Sequence, residues 1–277
     1  MASWHRRVVA CLAAPTTLKG ERIRTSEPSG SIESLVRSRL FFGVDRPVLQ
    51  RVAALFHTRT FRRGGRILVQ EEDAPLVHVI SDGFVRLNSL HVDGQEITLG
   101  IAGIGDLVGE EALVGEPPRP WIVTALEDCQ TLAAPATQLV RLFRTEPTLA
   151  MNLARYTSLR YAEIATALDN TVQGRVRERL LGALHRLAWQ YGFRSAAGRS
   201  LAFKLTHTDI ANLVASTRET VSLELAALTR MGSISRRNGK ITVLDHEPRP
   251  SRSRDPALPR LEYDGDGSLR SSFGRQR

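Results

Sequence analysis

The chain has 277 residues, with 38 lysines and arginines against 29 aspartates and glutamates, which gives a formal net charge of +9 at pH 7. A hydrophobic content of 42% excludes a wholly disordered protein, and the length suggests about two domains. The two cysteines, Cys11 and Cys129, exclude a disulfide scaffold and a four-cysteine iron–sulfur or zinc site built from this chain alone. No apolar run approaches the roughly 20 residues of a membrane helix, so no membrane partner is expected.

The charge is unevenly distributed along the chain. Residues 31–171 carry 14 basic and 17 acidic side chains, whereas residues 172–247 carry 12 basic and six acidic ones. The largest block is therefore mildly acidic, and the compact basic block after it favours nucleic acid as a partner. Residues 1–30 predict a disordered leader, with a transit peptide as the alternative, and the Pro-, Ser- and Arg-rich residues 248–277 predict a disordered tail.

Short apolar runs replace a helical pattern after about sixty residues. The helical spacing covers residues 31–57 and is broken near Gly43 and Pro47. From Phe61 to Pro135, turn signals rich in glycine and aspartate separate short apolar runs. We interpret these runs as strands over 67–69, 76–80, 84–90, 97–101 and 121–126. Several short strands at this spacing are typical of a small β-barrel or sandwich.

A long helix is predicted next. Its start at Pro147 suits a first helical turn, because proline lacks the N–H that is unpaired there. Apolar residues then recur in three- and four-residue steps. They are Leu149, Leu153, Tyr156, Ile164, Leu168, Val172 and Val176. One small barrel cannot bury so long a stripe, so we expect a second copy of the chain to cover it in a parallel dimer; the alternative is an ordinary core helix on its own domain.

Two short helices joined by a turn are predicted within residues 205–244. The turn is Ala215-Ser216-Thr217, in which Ser216 or Thr217 can cap the second helix. The residues predicted to face inward are Ile210, Leu213, Val214, Val221, Leu225 and Leu228. An Asn238-Gly239 dipeptide then predicts a β-hairpin. Together these signals predict a winged helix-turn-helix, which reads DNA with its second helix; the alternative is an αα-hairpin with a solvated charged face.

The stretch Ser216-Thr217-Arg218-Glu219-Thr220-Val221-Ser222 resembles the start of the recognition helix in the cyclic-AMP receptor protein/fumarate–nitrate regulator (CRP/FNR) family of bacterial transcription factors. The resemblance covers about residues 34–245. It implies an α+β fold, with a cyclic-nucleotide-binding-like sensor β-roll over 31–146, a dimerisation helix over 147–171 and a winged helix-turn-helix over 172–247. The implied function is that of a cytoplasmic homodimer, not an enzyme, which binds a pseudo-palindromic double-stranded DNA site and regulates transcription through RNA polymerase.

The resemblance also implies individual DNA contacts. Base reading is implied for Arg218 and Glu219, and Ser222 and Leu223 are the further base-reading candidates on the same helix. Phosphate contacts are implied for Thr206, His207, Thr208, Thr217, Thr220 and Lys240. Leu223 departs from the family, in which many members carry arginine at this position. Leucine cannot donate a hydrogen bond but can contact a thymine methyl, so we expect a half-site that differs from the best-known family consensus at that base.

Residues 105–113 resemble the family's phosphate-binding cassette, in which backbone N–H groups at a short helix start hold a cyclic phosphate. The implied effector pocket consists of Gly109, Glu110, Arg119, Pro120, Arg160 and Tyr161. Arg119 would pair with the phosphate, and Glu110 would accept from the ribose 2′-OH. Pro120 replaces the usual serine or threonine, and Arg160 and Tyr161 stand near positions where cyclic-AMP binders carry small hydroxyl residues. Cyclic AMP, another small effector, and a purely structural cassette in which Arg119 pairs with Glu110 therefore all stay open, and no cofactor is assigned.

Two other functional classes account for parts of the sequence. A cyclic-nucleotide-binding regulatory module of a signalling enzyme or channel explains residues 61–135 but not Arg218 and Glu219. A nucleoid-type protein would bind DNA through its arginines, without specificity and with a steep salt dependence. The sequence shows no nucleophile–base pair and no metal-ligand cluster, so no catalytic or metal site is assigned. A single haem ligand stays open, the candidates being His57, His78 and His91.

Overall fold

The computed structural model describes residues 32–68, 76–90, 96–114 and 121–244. The predicted leader and tail lie outside these ranges, as do His91, Arg119 and Pro120.

Short helical segments precede the first described strand. Helix α1 (Ile32–Val36) leads into a 3₁₀ turn (Arg39–Phe41), and α2 (Arg46–Ala53) follows. Gly43 has a φ of 69°, a left-handed conformation that glycine adopts at little cost, so the break predicted there is confirmed. Pro47 follows this break directly: it lies in the first turn of α2, where its missing N–H has no helical partner to lose.

Eight described strands form a β-roll of two four-stranded antiparallel sheets. They are β1 (His57–Phe61), β2 (Arg66–Leu68), β3 (Leu76–Asp82), β4 (Val85–Leu90), β5 (Glu96–Ala102), β6 (Leu107–Val108), β7 (Trp121–Ala125) and β8 (Cys129–Pro135). One sheet has the strand order β1-β8-β3-β6 and the other the order β2-β7-β4-β5. All five predicted strands are present within one or two residues. Apolar runs do not reveal β1, which buries only Phe61, or β6, which has two residues.

Helix α3 (Ala136–Thr145) leads to the long helix α4 (Pro147–Gln173), which begins at the predicted proline. The apolar stripe of α4 is covered only in its first half. Leu149 and Tyr156 are buried against the roll, whereas Ile164 and Leu168 are 52% and 63% exposed. One roll therefore does not bury the whole stripe, as expected, but Val176, which was predicted to continue it, lies in the next helix.

The remaining elements form a C-terminal domain, by which we mean residues 176–244. They are α5 (Val176–Tyr191), β9 (Gly192–Ser195), β10 (Gly198–Leu201), α6 (His207–Leu213), α7 (Arg218–Arg230), β11 (Ile234–Arg237) and β12 (Lys240–Leu244). The four strands form an antiparallel sheet in the order β11-β12-β10-β9. Helices α6 and α7 are the predicted helix-turn-helix, and β11–β12 is the predicted hairpin, which we call the wing.

The roll and the C-terminal domain share a hydrophobic core. Phe84, Ile101, Ile104 and Leu126 of the roll belong to the same buried cluster as the apolar faces of α5, α6 and α7. Two further clusters lie within the roll and its flanking helices. The shared cluster fixes the position of the helix-turn-helix relative to the roll.

Candidate nucleic-acid interface

Side-chain caps begin both helices of the helix-turn-helix. The Thr206 hydroxyl accepts from the Asp209 N–H at 3.1 Å, and Asp209 Oδ2 accepts from the Thr206 N–H at 2.8 Å. Thr217, one of the two predicted candidates, caps α7 by accepting from the Thr220 N–H at 3.2 Å. Ala215 between the helices has a φ of 49°, which turns the chain. These local contacts set the start of α7, where base-reading residues are predicted.

The first turns of α7 carry an outward surface of mixed chemistry. Arg218 and Glu219 are exposed, and Leu223 is 72% exposed. Val221 and Leu225 of the same helix are buried, as predicted. The exposed guanidinium suits guanine O6 and N7, the carboxylate suits cytosine N4, and the leucine suits a thymine methyl group.

A chain of hydrogen bonds links the wing to α7 through His207. Arg236 Nη2 lies 2.9 Å from His207 Nε2, and His207 Nδ1 lies 2.7 Å from Ser222 Oγ. Ser222 Oγ donates to the Arg218 carbonyl at 2.8 Å. Because a guanidinium can only donate, Nε2 accepts and the ring proton sits on Nδ1. Partial burial and the positive charges of Arg236 and Arg218 lower the pKa of His207, in agreement with this neutral form.

The other predicted phosphate-contact residues lie at helix starts and on the wing. Thr206 and Thr208 are exposed at the start of α6, and the Thr217 and Thr220 hydroxyls lie 2.9 Å apart at the start of α7. The Thr206 hydroxyl donates to Asp209 Oδ2 at 2.6 Å, whereas Thr208 and Thr217 are exposed polar groups at the two helix starts.

The wing turns at the predicted dipeptide. Asn238 and Gly239 have φ values of 52° and 78°, as a two-residue type I′ turn requires. Lys240 follows, and its ammonium lies 5.2 Å from the centre of the Phe193 ring. The predicted phosphate-contact lysine is therefore positioned beside an aromatic ring of the β9–β10 hairpin.

The predicted cassette forms a short 3₁₀ turn (Glu110–Val114) after β6. Gly109 before it has a φ of 87°, a conformation that favours glycine. Burial is the main cause that raises the pKa of Glu110 to about 7, and the charges of Glu111 and Asp106 add to it. Near neutral pH this carboxyl is therefore partly protonated, and a protonated carboxyl can donate a hydrogen bond as well as accept one.

Arg160 and Tyr161, two predicted pocket residues, lie on different sides of α4. The Arg160 guanidinium is largely buried, with Nη1 3.3 Å from Glu163 Oε2. Its Nη2 lies close to Gly100 in β5, 3.5 Å from where a Cβ atom would stand on that glycine. Tyr161 is 75% exposed. Of these two side chains, only that of Arg160 therefore faces the roll.

A buried polar group beside the cassette was not predicted from the sequence. Asp106 is 2% exposed, and its Oδ2 accepts from the Tyr191 hydroxyl at 2.6 Å and from the Gly103 N–H at 2.9 Å. Tyr156 of α4 donates to the Leu107 carbonyl at 2.9 Å and accepts from the Leu107 N–H at 3.0 Å. The sequence indicates only a turn at Gly105-Asp106. It does not indicate the contacts of this turn with Tyr156 and Tyr191, because both tyrosines lie far along the chain.

A second polar bridge joins the roll to the helix-turn-helix. Arg86 Nη1 in β4 lies 2.6 Å from Asp209 Oδ1, and Asp209 is the carboxylate that caps α6. Arg86 Nη2 also lies 3.7 Å from Glu96 in β5. The β4–β5 hairpin is thereby attached to the start of the helix-turn-helix, a contact between residues 123 positions apart that no local pattern indicates.

Other kinds of site receive no support in the described part of the chain. No helix there is long and apolar enough to cross a membrane, and no group of three or more His, Cys, Asp or Glu side chains there could hold a metal ion. His78 is fully buried, with Nδ1 2.9 Å from Thr131 Oγ1. Burial raises the pKa of the Cys129 thiol to about 12, so this cysteine is a core group.

Comparisons with known proteins agree with this geometry. The family model of the cyclic nucleotide-binding domain matches residues 58–146, and that of the Crp-like helix-turn-helix domain matches residues 178–247. The cyclic AMP receptor protein of Thermus thermophilus is 32% identical over 74% of this chain and 92% of its own length. The CRP-like cAMP-activated global transcriptional regulator of Mycobacterium tuberculosis is 26% identical over 80% of this chain and 99% of its own length.

Solved structures show the same fold. A CRP/FNR-family transcriptional regulator from Thermus thermophilus superposes with a TM-score of 0.55 at 29% identity, and the match covers 68% of this chain and 93% of that one. The two domain matches, the order of the elements and the 32% identical relative lead to one conclusion. The chain belongs to the CRP/FNR family of DNA-binding transcription regulators.

Proposed function

We propose that the chain works as a cytoplasmic homodimer that recognises a pseudo-palindromic DNA site through α7, and that it is a regulator rather than an enzyme. The observation that carries this proposal is the exposure of Arg218, Glu219 and Leu223 at the start of a capped helix, next to a wing of the Asn-Gly type. A helix start of this kind enters the major groove, and two copies read half-sites about 34 Å apart.

The dimer is proposed from α4. Tyr161, Ile164 and Leu168 are each more than half exposed on one protomer. They lie three and four residues apart, so they form one apolar strip along the helix. A second copy of the same helix is the partner whose surface matches such a strip over its whole length. The proposed dimer helix is 147–171, and the proposed DNA-binding domain is 172–247.

Base reading is assigned to Arg218, Glu219 and Leu223. In vitro site selection from random duplexes tests the assignment: the wild type is expected to enrich an inverted repeat. Arg218→Ala should relax the preference at one base, at a cost of about 1–3 kcal/mol, and Leu223→Arg should restore a guanine preference at the base that leucine contacts. Arg230→Ala, on the last turn of the same helix, is the matched control and should keep the enriched sequence. Enrichment of the unaltered family consensus by the wild type would contradict the role of Leu223.

Ser222 takes a supporting part in this proposal. Its hydroxyl proton is used on the Arg218 carbonyl, and its oxygen faces His207. It therefore supports α7 from within the protein, with one acceptor position left for a base. Phosphate contacts are proposed for Thr206, His207, Thr208, Thr217, Thr220 and Lys240, which lie at helix starts and on the wing. Both ring nitrogens of His207 are engaged by Arg236 and Ser222, so its contact would come from its backbone N–H at the start of α6.

For the effector, we propose a ligand other than cyclic AMP, or none. Arg160 is a donor-only group beside the roll, so it suits a ligand edge that accepts hydrogen bonds and disfavours the N6 amino group of adenine. Gly109, Glu110, Arg119, Pro120 and Tyr161 complete the proposed pocket in the dimer. Titration calorimetry with cyclic AMP and cyclic GMP tests this. A micromolar cyclic-AMP signal that Arg119→Ala abolishes would overturn the proposal.

We also propose that the bound dimer acts on transcription through RNA polymerase or by covering a promoter. Two rival functions predict different results in the same site selection. A cyclic-nucleotide-binding module of an enzyme or channel predicts no DNA enrichment. A nucleoid-type protein predicts binding that falls steeply with salt and has a small specificity ratio.

A further inference from the structure

The roll and the C-terminal domain meet in a cluster of aromatic rings. The ring centres of Phe84 and Phe203 lie 4.4 Å apart, and those of Phe84 and Tyr191 lie 5.6 Å apart. Gly103 lies against both rings: a Cβ atom there would stand 2.6 Å from Phe84 and 3.1 Å from Tyr191. The two domains are thus in close van der Waals contact, and the fit depends on a residue without a side chain.

Two charged or polar bridges accompany this apolar contact. The Tyr191 hydroxyl, at the end of α5, reaches Asp106, four positions before Glu110 of the cassette. The Arg86 guanidinium reaches Asp209 at the start of α6. The side chains of Arg86 and Asp209 are 22% and 10% exposed, so water screens this ion pair little. The contact therefore has directional restraints at two separate points.

The arrangement leaves the reading surface open. Arg218, Glu219 and Leu223 stay exposed while both bridges are formed. Asp209 both caps α6 and pairs with Arg86 of the roll. The roll therefore restrains the start of α6, where Thr206 is proposed to contact a DNA phosphate. The contact thus restrains the direction in which α7 points without covering it.

We propose that Arg86 and Asp106 are positioning residues for DNA reading: through Asp209 and Tyr191 they fix the angle at which each protomer presents α7, and thereby the half-site spacing that the dimer accepts. The proposal rests on the proposed dimeric DNA reading. In this arrangement α7 determines the base sequence of the half-site, and the contact between the roll and the C-terminal domain determines the accepted distance between half-sites. A dimer with loosened C-terminal domains should still prefer the same half-site but should tolerate altered spacings.

The experiment measures binding to duplexes that carry the selected half-sites at the selected spacing, or with one or two base pairs added or removed. The wild type is expected to lose about tenfold or more in affinity when the spacing changes. Arg86→Gln and Tyr191→Phe should each reduce this loss to about threefold or less, with the same base preference in the half-site. Arg86→Lys keeps the charge and should restore much of the wild-type discrimination.

Two controls separate positioning from general damage. Arg51→Gln removes another arginine–carboxylate ion pair, Arg51–Glu146 at 2.5 Å, which is more exposed and lies away from the contact between the domains, and should leave spacing discrimination unchanged. Tyr191→Phe keeps the ring and its packing, so it tests the bridge even if Arg86→Gln folds poorly. Unchanged spacing discrimination in both Arg86→Gln and Tyr191→Phe, or a changed half-site preference, overturns the proposal.

A measurement without DNA distinguishes failure of this proposal from failure of the proposed function. In a Cys11→Ser chain, in which the remaining native Cys129 is buried, spin labels at Glu33→Cys and Met231→Cys report the distance between the two parts by double electron–electron resonance. Both are exposed positions, one in the N-terminal part and one in the C-terminal domain. Labelled chains are diluted with unlabelled ones so that distances within a protomer dominate. A narrow distribution in the wild type that broadens in Arg86→Gln and Tyr191→Phe supports the proposal, and equal widths overturn it, whatever the DNA results.

Discussion

Glu110 shows how one partly buried side chain can make stability depend on pH. Its carboxyl lies at the start of the cassette turn, where burial raises the pKa from 4.5 to about 7. The folded chain therefore holds a proton between pH 4.5 and about 7 that the unfolded chain has released. This contribution to stability is fully present below pH 4.5 and is lost as the pH rises through about 7.

Glu110→Gln should remove this dependence, because an amide does not ionise. We expect the free energy of unfolding of the wild type to fall relative to that of Glu110→Gln by on the order of 2–3 kcal/mol between pH 4.5 and pH 8. Urea unfolding of both proteins across this range measures the difference. All other titrating groups are common to both proteins and cancel. A difference that stays constant with pH would contradict the raised pKa of Glu110.

Residue roles were predictable where the signal is local. The Thr217 cap and the Asn238-Gly239 turn follow from short-range chemistry that needs no knowledge of the rest of the chain. Asp106–Tyr191 and Arg86–Asp209 were not predictable, because each pair joins residues 85 and 123 positions apart, respectively. The sequence alone gives Arg86 no feature that separates it from 34 other arginines.

Helix α4 shows the corresponding limit for a whole element. Its start follows from Pro147, but the division of its apolar residues into a buried and an exposed group does not. Leu149 and Tyr156 pack against the roll, while Ile164 and Leu168 are exposed on the open side of the helix. Both groups have helical spacing, so periodicity alone merges them into one stripe.

The open side of α4 leads to a prediction about oligomeric state. Ile164→Glu places a charge in the middle of the exposed apolar strip, and we expect it to shift the protein from dimer to monomer, because a buried unpaired carboxylate opposes association. Light scattering coupled to size exclusion measures the mass. Ala162→Glu adds the same charge about 160° away around the helix and should leave the dimer intact. A dimeric Ile164→Glu protein would contradict the assigned interface.

At the scale of the whole molecule, the shared core makes the roll and the C-terminal domain one cooperative unit. Phe84, Phe203 and Tyr191 are buried between them, within a cluster that also contains the cores of α6 and α7. The two family matches at residues 58–146 and 178–247 suggest separable modules. The packing instead predicts that neither part unfolds without the other.

Tryptophan fluorescence can follow each part separately. Trp121 lies in β7 of the roll and Trp189 in α5 of the C-terminal domain, so Trp4→Phe combined with Trp121→Phe or Trp189→Phe leaves one reporter. We expect the two thermal transitions to coincide in the otherwise unchanged chain. Phe203→Ala, which costs about 3–5 kcal/mol, should move the Trp189 transition below the Trp121 transition. Separate transitions in the unchanged chain would contradict a shared core.

The tautomer of His207 gives the wing a sensitivity to acid. Its Nε2 can hold Arg236 only while it carries a lone pair, and protonation would set two cations face to face. The hydrogen bond that ties β11 to α6 thus exists only in the neutral ring, which the lowered pKa of His207 favours. Below the lowered pKa of His207 the wing would lose this contact with α6, while its apolar residues stay in the shared core and Thr217 still caps α7. Protonation of His207 would then alter the contacts of the protein with the DNA phosphates and leave the base preference of α7 unchanged.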